Sequence, residues 1–287
     1  LADDSSALYW NPAALSRLKV PEIGFMHSEY LESVRFDHLA FAQPVSQGAL
    51  AFSVDTLSMD AIQKVDKTGL RLADSYRPSD VAATFGFGLP LFDVGGRPLR
   101  FGAAFKYLIS RLDDKTANGV AADIGLLYVM DRLSIGVSLH NMGSAIQFDR
   151  VSDPLPVLGR VGAAYSLSPL ATLAVDVTKP RDGDARVGVG GEIARTVGAT
   201  TCALRGGYRT NKDKLGGLSG VSLGGGLAAG RLGFDYAWVP YGDLGQTHWL
   251  SLTVRFINRG PAPQAPQSPC AWTRPRPGQA ERRRPTR

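Results

Sequence analysis

From Glu22 onward the chain alternates apolar residues with small or polar ones, with a period of two, across most of its 287 residues. That period is the signature of β-strands, because successive strand side chains point to opposite faces. In "FGAAFKYLIS", Phe101, Ala103, Phe105, Tyr107 and Ile109 share one face, and Gly102, Ala104, Lys106 and Ser110 share the other. "VAADIGLLYV" sets Val120, Ala122, Ile124, Leu126 and Tyr128 against Ala121, Asp123 and Gly125. "LGFDYAW" sets Leu232, Phe234, Tyr236 and Trp238 against Gly233, Asp235 and Ala237, and "HWLSLTVRF" sets Leu250, Leu252, Val254 and Phe256 against Ser251, Thr253 and Arg255. The apolar faces carry no charge. The second face is neither a solvated surface nor a core: it mixes Gly, Ala and Ser with isolated charges, for which Lys106, Asp123, Asp176, Arg205, Asp235 and Arg255 are the candidates.

A soluble β-sandwich also alternates, but small residues with single charges suit the inside of a wide closed barrel. The apolar face of such a barrel meets lipid, where an Arg or Lys at the midplane costs about 2–4 kcal/mol. Most of the strands run about 9–12 residues, the length that crosses a bilayer at a tilt. Fourteen are expected, near 22–31, 36–43, 48–57, 79–89, 97–111, 117–130, 132–140, 158–168, 170–179, 185–194, 200–210, 217–229, 231–239 and 247–257. The even-numbered connections are mostly tight, whereas those around 58–78 and 141–157 are long. Short turns at one end, long loops at the other and an even strand number are the arrangement of outer-membrane barrels. Closure also removes the edges that so many strands would otherwise present. The fold expected is therefore all-β: an antiparallel transmembrane barrel of about fourteen strands over residues 21–257, embedded in outer-membrane lipid.

Before the barrel, "DDSSALYWNPAAL" runs an aromatic pair into Asn11-Pro12. Asn caps free N–H groups and Pro fits the first helical position, so a helix of about two turns is expected from Asn11 to the stop at Pro21. So short a helix is not stable alone in water and must pack on something. The chain begins at Leu1 without an initiator Met, and the export signal that an outer-membrane protein requires is missing from this sequence. At the far end, residues 258–287 hold seven Arg and one Glu, which accounts for the whole formal charge of +6. The basic character belongs to this Pro/Arg-rich tail, expected to be disordered, so no nucleic-acid-binding face is indicated.

Several motifs suggest chemistry and lack its context. "GVSLG" around Ser222 matches a nucleophile elbow, but that motif needs a strand, a sharp turn and a helix, and here a further strand follows. "GGGLAA" from Gly224 likewise precedes no helix. His27, His38, His140 and His248 fall on separate strands with no i, i+4 pair, and Cys202 and Cys270 match no metal spacing. No catalytic set, metal site or cofactor is expected, and the chain reads as non-enzymatic.

Three stretches together resemble one family. "ADDSSALYWNPAAL" is similar to the N-terminal plug motif of the PorV/PorQ-type outer-membrane proteins, relatives of the FadL long-chain fatty-acid transporters. "LHNMGSAIQF" with "DPLPVLGRVGAAYSL" resembles their central Asn-x-Gly loop, and the segment from Leu204 to Phe256 resembles their C-terminal hairpins. The resemblance implies that residues 1–20 form a plug inside the barrel, with Tyr9 and Trp10 against the wall and Asn11 and Pro12 setting the helix start. It implies two possible jobs in the outer membrane of a Gram-negative bacterium. One is type IX secretion, with secreted client proteins and secretion-system components as partners. The alternative is a FadL-like channel for hydrophobic small molecules such as fatty acids. An apolar extracellular pocket would favour the channel; a polar ledge built by the long loops would favour a protein client.

Overall fold

The computed structural model describes residues 3–148, 151–210, 216 and 218–257; the tail at 258–287 lies outside the described residues. Fourteen strands close into one antiparallel barrel. They are β1 (Glu22–Glu29), β2 (Arg35–Val45), β3 (Gly48–Ser58), β4 (Ser79–Val94), β5 (Arg97–Leu112), β6 (Lys115–Val129) and β7 (Leu133–Gly143). The second half is β8 (Leu158–Ser168), β9 (Ala171–Pro180), β10 (Arg186–Val197), β11 (Thr200–Arg209), β12 (Val221–Ala229), β13 (Leu232–Pro240) and β14 (Gln246–Arg255). Each strand pairs with its neighbours in sequence, and β1 closes the ring: Ile23 stands opposite Phe41 of β2 on one side and Val254 of β14 on the other.

The alternation assigns the two faces. Phe25, Leu39, Phe52, Phe85, Phe105, Val137, Leu173, Leu204, Phe234 and Leu252 all point outward and are exposed, Leu204 to 73%. An apolar belt this continuous belongs in hydrocarbon, not in water. The inward positions on β2–β7 are small or polar and buried, among them Ala40, Ala42, Ala51, Ser53, Ala104, Ala121 and Asp123. Outward charges keep to the strand ends: His27 lies 2.7 Å from Asp37 near the long-loop end, and Arg195 stands two residues from the end of β10 at the short-turn end.

Four departures from the sequence reading have local causes. The β4–β5 hairpin extends beyond Leu89, past Pro90, because a register shift between Pro90 and Phe92 accommodates a residue with no N–H to donate. The long loop after β3 carries its own hairpin, Ile62–Val65 with Arg71–Tyr76, and the loop after β7 carries Ile146–Phe148 with Val151–Asp153. β7 continues past His140 through a bulge, where Asn141 takes φ 59°. The N-terminal helix is the fourth departure. It begins earlier, as α1 (Ala7–Trp10), breaks at the extended residue Asn11, and resumes as a 3₁₀ helix over Pro12–Arg17. Pro12 bars Asn11 from the helical region, which ends α1, and the Asn11 side chain then caps the next turn by accepting from Ala13 N at 3.0 Å.

Because every strand bond is internal, the folded barrel should migrate differently in boiled and unboiled detergent samples. Leu252→Arg should impair membrane insertion by about 2–4 kcal/mol if that position lies at mid-bilayer, and Thr253→Arg by less. A Thr253→Arg variant that inserted less well than Leu252→Arg would reverse the assignment of the two faces.

Candidate functional site

The lumen is built in layers that the strand register defines. Toward the short turns, Ala49, Gly88, Gly102 and Gly125 form one row across β3–β6, and Ala51, Gly86, Ala104 and Asp123 form the row above it. The N-terminal segment lies on these two rows. Leu8, Ala13, Ala14 and Leu15 are fully buried there against Ala42, Ala49, Ala51, Ala104 and Leu127. The wall admits a backbone this close because it lacks side chains. A Cβ at Gly88 would stand 2.5 Å from Pro12 O, and one at Gly102 would overlap the backbone of Pro12 and Ala13. At Gly125 it would overlap the Asn11 amide, whose Nδ2 donates to Leu126 O at 3.1 Å and Val137 O at 3.3 Å, a pair facing each other across β6 and β7.

Of the four plug residues singled out in the sequence, Asn11 and Pro12 sit in this glycine cradle. Tyr9 and Trp10 stand elsewhere: they pack edge to face at 5.1 Å and remain 43% and 47% exposed. Their contact with the wall is Arg160 of β8, whose guanidinium lies 4.7 Å from the Trp10 ring centroid and 5.7 Å from that of Tyr9. The residues that bury the segment, Leu8, Ala13 and Leu15, escaped the sequence reading. The signal for them was present in the glycines that recur on the inward face of β4, β5 and β6 at matching register. Glu22 was also missed: buried at the start of β1, it accepts from Ser5 N and lies 3.5 Å from Arg255 Nε, which ties the segment to the seam of the barrel.

All six candidate inner-face charges share the face that meets the plug. Lys106 Nζ is 2.7 Å from Asp123 Oδ2 and donates to Asn141 Oδ1 at 3.0 Å. Asp123, wholly buried, also accepts from Asn141 N at 2.8 Å and lies 2.9 Å from His140 Nδ1. The carboxylate thus replaces a ladder partner at the bulge, which is why the Asn-x-Gly sequence is structural here: Asn141 takes the left-handed conformation, and a Cβ on Gly143 would overlap Val120 O. On the opposite wall Arg205 joins Glu192 at 2.6 Å and Asp235 at 2.5 Å. Asp176 rests over Gly188, whose absent Cβ would meet its Oδ1 at 2.6 Å. Arg255 pairs with Glu22.

One string, Ser138–His140–Asp123, has the order of a charge relay, with Ser138 Oγ 2.8 Å from His140 Nε2. Ser138 is buried and its Oγ stands 3.4 Å from Trp10 O, so the plug occupies the place a reacting carbonyl would need. The string stiffens the wall.

Above the plug, toward the long loops, lie Ser53, Thr84 and Lys106, then Asp55, Ala82 and Leu108, then Leu57, Asp80 and Ser110. The last two rows, with Phe36, Val81, Ile109 and Ile146, line a cavity of about 320 Å³. Ile146 reaches in from the hairpin after β7 and seats where Gly119 has no Cβ. A second cavity of about 300 Å³, lined by Tyr30, Leu31, Val34, Phe36, Leu57 and Tyr241, shares Phe36 and Leu57 with the first. Burial, the largest influence, raises the Tyr30 hydroxyl well above the usual phenol range, so Tyr30 itself stays neutral. The mouth is mainly apolar, with Asp55, Asp80 and Ser110 at one side of the first cavity. Its residues were invisible in the sequence as a site because Phe36, Leu57 and Leu108 break the small-inside pattern only at strand ends.

No family model matches the chain, and no curated protein matches it in sequence. Solved structures share its fold. The toluene transporter TodX of Pseudomonas putida is 12% identical, with 87% of this chain and 92% of that chain covered and a TM-score of 0.57. The toluene transporter TbuX of Ralstonia pickettii is 13% identical, covering 88% and 94%, at 0.53. A FadL homologue of Pseudomonas aeruginosa is 11% identical, covering 90% and 95%, at 0.54. This chain therefore has the fold of the FadL-type outer-membrane barrels.

Overpacking costs about 1–3 kcal/mol, enough to raise the undocked population of a short segment roughly tenfold. Gly102→Val should accordingly expose residues 3–18 to protease and raise passive permeability, while the barrel stays heat-modifiable, since Val suits a strand. Truncating Tyr9 and Trp10 to Ala should give a milder effect. Unchanged proteolysis of the Gly102→Val segment would refute the glycine cradle.

Proposed function

We propose that this chain is a non-enzymatic FadL-type channel that admits hydrophobic small molecules across the outer membrane of a Gram-negative bacterium. The observation that carries the reading is the pair of adjoining, mainly apolar cavities at the long-loop end, which share Phe36 and Leu57 above a seated plug. Their volumes fall at the lower end of the range for small-molecule sites. The long loops present this apolar recess where client handling would call for a polar ledge. The fold shared with toluene transporters and a FadL homologue supports the same reading.

On this proposal a hydrophobic molecule leaves the outer face for the cavities, and the N-terminal segment closes the route beneath. The PorV/PorQ likeness concerns the plug, the Asn-x-Gly loop and the last hairpins, and its secretion partners rest on those motifs alone. The fitted partners are outer-membrane lipid around the belt and a hydrophobic ligand in the mouth.

Full burial of a Phe side chain is worth about 1.5–3 kcal/mol, and a ligand that covers part of Phe36 realises part of it. Phe36→Ala should therefore weaken binding of a monoaromatic hydrocarbon such as toluene about tenfold, read by calorimetry on detergent-solubilised protein, with heat-modifiability unchanged. Toluene binding that is absent, or indifferent to Phe36→Ala, would remove the channel reading.

A further inference from the structure

The larger cavity is apolar on its walls and acidic at one side. Asp55 and Asp80 both line it, together with Ser110, and no Lys or Arg is among the described residues that do. Asp55 is committed: its Oδ1 lies 2.6 Å from His38 Nδ1, with the His38 side chain buried in the wall and that of Asp55 partly buried. Asp80 is exposed to the cavity and accepts from Ser110 Oγ, which leaves acceptor capacity on the carboxylate. Lys106, the cation one row closer to the plug than Leu108, is taken up by Asp123 and Asn141, with its side chain 13% exposed.

A carboxylate group brought into this recess would face a fixed like charge between walls of low polarity, with no Lys or Arg among the described lining residues to pair with. Like-charge opposition of this kind is how a site rejects a competitor of the right size. A hydroxyl or amine on the same apolar body would instead donate to Asp80, a charge-assisted bond. We infer that the cavity selects compact hydrophobic molecules bearing a hydrogen-bond donor, such as alcohols, phenols or amines, and excludes carboxylates, long-chain fatty acids included. This selectivity rests on the channel reading and names its ligand class, with Asp80 as the residue that determines it.

The test titrates the whole chain, folded in detergent at pH 7.5, with naphthalene, 2-naphthylmethanol, 2-naphthylmethylamine and 2-naphthoate, following naphthyl fluorescence anisotropy. The alcohol and the amine should bind more tightly than the hydrocarbon, and naphthoate at least about tenfold more weakly than the alcohol. Asp80→Asn should raise naphthoate affinity about tenfold, weaken the amine and leave naphthalene unchanged. Asp80→Ser, which keeps a small polar group at the cavity edge, gives the same readout should the amide variant misfold. Naphthoate binding as tight as the alcohol, or a preference insensitive to both variants, overturns the inference and leaves the channel reading standing. If none of the four binds, both fall.

Discussion

Inside a bilayer no water is available to a backbone N–H or C=O, so every one must find a partner within the protein. For strands the only complete answer is a ring, and the pairing of β1 with both β2 and β14 supplies it. Once the ring is imposed, the period of two divides each strand between lipid and lumen. Every outward position is then under pressure to be apolar, which explains why Phe25, Phe52, Phe105 and Leu252 stand exposed. Inward positions are freed from that pressure and come under another: whatever fills the lumen must fit against them.

The plug is the clearest case of that second pressure. Two short helical turns offer little apolar area, so they gain by bringing their backbone against the wall instead of holding it at side-chain distance. Gly88 and Gly102 make this approach possible, Gly86 and Gly125 make room for the side chains of Leu8 and Asn11, and Ala42, Ala49 and Ala51 fill the remaining space. Asn11 then finds acceptors in carbonyls of the wall itself, an anchor that tolerates no Cβ at Gly125. Strand glycines ordinarily weaken a sheet. Here they trade sheet propensity for a docking surface, and the closed ladder on either side bears the loss.

The barrel was legible in the sequence because its cause is local: alternation depends on residues two apart, and strand count and loop lengths follow from it. The inner-face positions of Lys106, Asp123, Asp176, Arg205, Asp235 and Arg255 follow from the same parity. Their partners were not legible, since Glu192 and Asp235 reach Arg205 from two different strands, and Asp123 gathers Lys106, His140 and Asn141 only across the bulge. The plug was half legible. Asn11-Pro12 announces a helix start, but the turn before it, and the burial of Leu8 and Leu15, depend on a wall drawn from strands far along the chain. The mouth was least legible, because Ile146 and Phe36 belong to different loops and strands and meet only when the ring closes.

These layers also order the events that any passage through the lumen requires. A molecule resting on Phe36, Leu57 and Leu108 has beneath it Ser53, Thr84 and Lys106, and beneath those the plug. The recess is thus floored by polar wall groups, of which Lys106 is held by Asp123 and Asn141, while His38 is held by Asp55 in the row above. Separating Lys106 from the buried Asp123 would leave uncompensated charge and is strongly unfavourable. The ion pair therefore holds the wall, whereas the plug is held by close packing and a few hydrogen bonds, those of Asn11, of Ser5 with Glu22 and of Ser138 with Trp10 O, none of them an ion pair with the wall. On the channel proposal the division of labour follows from the chemistry of each layer: apolar surface to collect, an ion pair to hold shape, and a small, glycine-seated segment to open.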